Sequence, residues 1–71
     1  MPEHVFKIVE IVGTSRKNIE GAIQNGIERA GKSLRHVTWF EVIGTRGHVE
    51  DGGTVLYQVT MKVGFRMEGD G

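Results

Sequence analysis

Cysteine is absent from the 71 residues, so neither a disulfide framework nor a thiolate metal site can steady a chain this short. At this length a single core is only marginally stable, and oligomerisation is the common remaining remedy. No charge excess exists either: Lys+Arg and Asp+Glu both number 9. A nucleic-acid or anionic-membrane footprint is therefore not indicated. No apolar run approaches the roughly 18 residues that a spanning helix needs. Met1-Pro2-Glu3-His4 has neither the basic start nor the apolar stretch of a signal peptide. The expectation is one soluble, cytoplasmic domain over residues 1–71, with 68–71 as a frayed tail.

Catalytic and metal motifs are also missing. His4, His36 and His48 are scattered, unlike the close pairs and triads that hold zinc. Ser15 and Ser33 fall at helix ends, where capping accounts for them, and no nucleophile elbow surrounds either. Gly13-Thr14-Ser15 precedes a helix but lacks the lysine and spacing of a phosphate loop. A capped turn explains it better than an anion site.

What the chain does have is clear alternation. Val5 to Val12 reads as a first strand, rich in Val and Ile, with Gly13-Thr14-Ser15 turning the chain. Ser15 serves as an N-cap, and Ile19, Ala22, Ile23, Ile27 and Ala30 recur at helical spacing, with Leu34 continuing the stripe. Gly21 and Gly26 within it suggest close packing, and Gly31 a C-cap. A second strand spans about Arg35 to Gly47 and a third about Thr54 to Met67. Between them Asp51-Gly52 signals a two-residue turn, with a bulge near Gly47 or Gly52 as the device that would shift the pairing. That turn sets Glu41 opposite Lys62 as an ion pair, Phe40 opposite Val63, Val42 opposite Met61 and Trp39 opposite Gly64. The fold expected is α+β, in the order β-α-β-β, with a three-stranded antiparallel sheet on one helix.

The only tryptophan is then on the unexpected side. Odd residues of the last strand, Val55 to Met67, and even residues of the second, Phe40 and Val42, share one core face. Trp39 points away from it, beside Glu41, Gln58, Thr60 and Lys62. Glycine opposite Trp39 leaves an indole face uncovered. An outward aromatic with a bidentate amide suits a subunit interface or a flat polar ligand.

Four stretches are familiar. Glu10-Ile11-Val12-Gly13-Thr14-Ser15, Trp39-Phe40-Glu41-Val42, Arg46-Gly47-His48 and Tyr57-Gln58-Val59-Thr60-Met61-Lys62-Val63-Gly64-Phe65-Arg66 resemble the dodecins, collinearly and over nearly the whole chain. These are small flavin-binding proteins. The resemblance implies a sheet wrapped around the helix and a hollow homo-dodecamer. It implies a non-catalytic role in storing flavin, FMN or riboflavin, as stacked pairs between tryptophans of neighbouring subunits, with quenching of flavin photochemistry. Trp39 and Gln58 take the ligand-holding positions. Arg46 is the candidate for an FMN phosphate, although strict alternation puts it on the core face and a bulge must turn it outward. Coenzyme A is a second ligand the resemblance admits, with no residue assigned. The alternatives are a flavin-dependent redox enzyme and a structural shell with Trp39 as interface anchor.

Overall fold

The computed structural model describes residues 3–67; the expected frayed tail, 68–71, lies outside them. Its elements run β1 (Phe6–Ser15), α1 (Ile19–Ser33), β2 (Val37–Val49), a 3-10 turn (Asp51–Gly53) and β3 (Val55–Arg66). The three strands form one antiparallel sheet in the order β1-β3-β2. This is the expected β-α-β-β arrangement, drawn out to 56 Å along its longest axis.

Three local readings need correction. β1 continues through Ser15 instead of turning at Gly13, since Gly13, Thr14 and Ser15 pair with Val59, Gln58 and Tyr57. Asn18, not Ser15, caps α1: its side chain accepts from the Gly21 amide at 2.6 Å, which satisfies a first-turn donor. Ser15 instead accepts from the Lys17 amide at 3.0 Å, shaping the turn before the cap. Gly31 is not the C-cap, because the helix runs on to Ser33 and ends at Leu34.

The core is small and lies between α1 and β3. Ala22, Val59, Met61 and Val63 are wholly buried, with Val9, Ile11, Ile23, Ile27 and Val37 packed around them. Gly26 permits this approach, since a Cβ there would stand 2.7 Å from Met61 Cε. The helix lies over β1 and β3 and touches β2 least. Phe40 and Val42 do face the core side, opposite Val63 and Met61 as expected. They remain 46% and 40% exposed, however, because the helix stops short of β2. Phe6, Ile8 and Val12 are exposed as well, on the opposite face. A single chain thus leaves apolar surface open on both sides of its sheet.

The hairpin departs from the expected turn in an informative way. Glu50 pairs with Thr54 through its amide at 2.7 Å, so the loop holds three residues, with Gly52 and Gly53 at φ 82° and 86°. An odd loop shifts the register by one, and Val49 faces Val55. The bulge that shifts it back lies between Val42 and Gly44, not near Gly47 or Gly52. Beyond it the pairs foreseen from a two-residue turn all appear: Val42–Met61, Glu41–Lys62, Phe40–Val63 and Trp39–Gly64. A further irregularity between Val37 and Trp39 lets Val37 point to the core while Trp39 points away. Among the described residues Glu41 and Lys62 close no ion pair, although they stand opposite one another.

The ion pair that does tie distant segments joins Arg16, after β1, to Glu50 at the hairpin tip. The Arg16 hydrogen bond is the main cause holding the Glu50 carboxyl below its ordinary range, with partial burial opposing it. A carboxyl depressed in the folded state stabilises that state above the unfolded carboxylate range, and the contribution disappears as pH falls through the folded value. Acidification should therefore loosen the tip, seen as faster amide exchange at Asp51, Gly52 and Gly53, and Glu50→Gln should abolish that acid dependence. Both partners are solvated, so the effect should be modest and fade with salt.

Candidate functional site

The outer face of the sheet carries the candidate residues in rows across the strands. One row reads Ile8–Gly64–Trp39, the next Glu10–Lys62–Glu41, then Val12–Thr60–Gly44, and last Thr14–Gln58–Arg46. The bulge at Ile43 is what brings Arg46 to this face. Without it Arg46 would point to the helix side, as strict alternation requires. Gly44 was the available signal, since a glycine inside a strand often marks a bulge.

Trp39 sits on Gly64 itself. A Cβ at Gly64 would lie 2.2 Å from Trp39 Cε2 and 2.7 Å from its Nε1, so the indole fills the space that any side chain there would need. The glycine is thus a seat for the ring and does not simply leave a face bare, as the sequence suggested. Trp39 remains 38% exposed, and Ile8, half exposed, stands across Gly64 from it. An exposed indole with an aliphatic neighbour offers an apolar platform for a flat ring.

At the other end of the face, Arg46 Nε donates to Gln58 Oε1 at 2.8 Å. Gln58 is half-buried and Arg46 exposed. The structure therefore unites Arg46 with Gln58 and separates both from Trp39. Gln58 and Gly64 are six positions apart on β3, about 20 Å at the usual strand rise. A flat ligand held on both Trp39 and Gln58 must take them from different chains. Sequence reasoning missed the Arg46–Gln58 contact, because the bulge that creates it has no strict signature.

A concavity among the described residues lies elsewhere. A shallow depression of about 330 Å³ opens beside Lys7, Leu34, Arg35 and Phe65, at the junction of α1 with β2. There His36 adopts a left-handed φ of 62° and its ring approaches Arg66 Nη2 at 3.4 Å. The strand face with Trp39 and Gln58 is open, as a half-site shared between chains would be. Among the described residues no three His, Asp or Glu side chains gather to hold a metal ion, and no helix is long and apolar enough to cross a membrane.

Comparison with known proteins identifies the fold and the family. The dodecin family model matches residues 5–68. The Thermus thermophilus dodecin is 52% identical over 64 residues, which span 90% of this chain and 93% of that protein. The solved dodecin from Streptomyces davaonensis superposes with a TM-score of 0.90 at 46% identity, covering 96% of this chain and 100% of its own. A calcium dodecin of Mycobacterium tuberculosis is 30% identical over 63 residues, 89% of each chain. From the family match over nearly its whole length, and from relatives that share both sequence and fold, this chain belongs to the dodecin family.

Proposed function

We propose that the chain is a non-catalytic flavin-binding subunit that stores FMN or riboflavin as stacked pairs between the tryptophans of neighbouring copies and quenches their photochemistry. The observation that carries this reading is the division of one open sheet face into two half-sites. Trp39 on its Gly64 seat lies at one end and the Arg46–Gln58 pair at the other, too far apart for one ring. Two chains laid against each other with this face between them would complete the site. A homo-dodecamer, the assembly the family resemblance implies, would supply such neighbours. It would also cover Phe6, Ile8, Phe40, Val42 and Ile43, all at least 40% exposed in one chain.

The chemistry fits each half. Isoalloxazine is flat and electron-poor, and the electron-rich indole of Trp39 stacks on it and can donate an electron to its excited state. Gln58 provides a donor and an acceptor for the alternating edge of the pyrimidine ring. Arg46, turned to the same face, is placed to meet an FMN phosphate. The calcium named for the mycobacterial relative belongs to that protein, and no observation on this chain favours it.

The test is a flavin titration followed by fluorescence, with chain assembly checked by size exclusion. Purified protein should quench FMN or riboflavin on binding, and an absence of quenching at micromolar flavin would sink the proposal. Trp39→Phe keeps a flat face but removes the better electron donor, so emission of bound flavin should rise more than affinity falls. Gln58→Leu should leave ligand polar atoms unpaired, at about 1–3 kcal/mol, weakening binding roughly 5- to 150-fold with quenching retained. Steady turnover with a reductant would instead indicate a redox enzyme. Loss of assembly in Trp39→Ala, in a protein that never quenches flavin, would indicate a structural shell.

A further inference from the structure

We infer that Arg46 is a positioning residue for Gln58: it sets the carboxamide for the ring, apart from any contact with a ligand's anionic tail. The inference rests on the flavin reading and names how its polar half-site is prepared. Among the described residues the Gln58 carboxamide has one hydrogen bond, accepted at Oε1 from Arg46 Nε at 2.8 Å. A glutamine amide can be turned either way about its last bond, exchanging donor for acceptor. A guanidinium only donates, so it decides the matter: Oε1 must face Arg46, and the Nε2 hydrogens must face away from it.

Three consequences follow from elementary hydrogen-bond chemistry. The side chain enters the site with its orientation already chosen, so less rotamer freedom is lost on binding. The carbonyl oxygen keeps a second lone pair for a ring N–H, because one donor uses only one. The positive charge on Arg46 polarises the amide and makes the Nε2 hydrogens stronger donors toward a ring carbonyl. None of these depends on a phosphate. The backbone supports the arrangement from the other side: Thr14 pairs with Gln58, and its carbonyl accepts from Asn25 Nδ2 of α1 at 2.9 Å. The row Thr14–Gln58–Arg46 is thus anchored to the helix at one end and finished by a cation at the other.

The distinguishing probe is riboflavin, which has the ring and no phosphate, set against FMN, which has both. Arg46 is exposed in the single chain, so Arg46→Ala should leave the fold intact, and size exclusion on the variant checks that the copies still assemble. With Gln58 present, Arg46→Ala should weaken riboflavin binding on the order of 5- to 10-fold, in the range of coupling between contacting side chains. In a Gln58→Leu background the same substitution should have no further effect on riboflavin. A loss confined to FMN, or an equal riboflavin loss in both backgrounds, would overturn the inference. A second arm needs no ligand: the side-chain amide NMR signals of Gln58 should be dispersed in the free protein and collapse toward free-glutamine positions in Arg46→Ala. Unchanged signals would also overturn it. Native protein that binds neither flavin would defeat the functional reading itself, and the NMR arm would still decide the placement of Gln58.

Discussion

Gly13→Ala should destabilise the protein more than any other change of one methyl group. A Cβ at Gly13 would lie 2.1 Å from the Ala22 carbonyl oxygen and 3.2 Å from the Gly26 amide nitrogen, both backbone atoms of α1. No side chain can rotate to make room. The helix would have to lift from β1 and leave Met61 and Val59 with poorer cover. Overpacking costs about 1–3 kcal/mol in ordinary cores, and a clash of backbone on backbone belongs at the upper end. For a domain of this size that corresponds to roughly 10–20 °C in melting temperature. Gly31→Ala is the matching control, since nothing lies within 4 Å of its Cβ position. It should gain about 0.5–1 kcal/mol from helix propensity alone. Calorimetry on the two variants should move in opposite directions, and a shared direction would contradict the helix–strand contact.

The second large effect is expected at Gly64. Gly64→Ala would drive the indole of Trp39 off its seat, because Cβ would occupy the space of Cε2, Cζ2 and Nε1. The tryptophan is exposed enough to swing aside, so stability should change little. Ligand binding should change greatly. Stacking a flat ring on an aromatic side chain is worth about 1–3 kcal/mol, so flavin affinity should fall about 5- to 150-fold. Gly64→Ala should thus approach Trp39→Ala in a fluorescence titration while both chains remain folded by circular dichroism. Native affinity in Gly64→Ala would mean that ligand binds a different pose of the indole.

The element order, the helix stripe and the outward turn of Trp39 were all legible in the sequence, because each rests on a period of 3.6 or 2 over many residues. The four pairs from Trp39–Gly64 to Val42–Met61 were legible too, although by a route the structure does not follow. A two-residue turn predicts them directly. The real turn has three residues, and the bulge beside Gly44 removes the extra one. What escaped was whatever a backbone irregularity decides. Arg46 changes face at that bulge. Asn18 takes the cap from Ser15 because β1 holds Ser15 in its ladder with Tyr57. The exposure of Phe40 and Val42 also escaped, since parity tells which face a residue is on and not whether anything covers that face.

The pairing of an odd turn with one bulge has a consequence for how the hairpin can change without changing length. Were the tip to close over Asp51 and Gly52 alone, Gly53 would rejoin β3 opposite Glu50, and the strands could run without the bulge. The pairs from Trp39 to Val42 would survive, while everything between Ile43 and the tip would rotate by half a turn. Arg46 and His48 would swing to the helix side, and Thr45 would take the place opposite Gln58. The type of turn at the tip therefore acts as a switch on the chemistry of a surface some distance away. One sequence of fixed length holds two such surfaces, and a single glycine, counted in the loop or in the strand, selects between them.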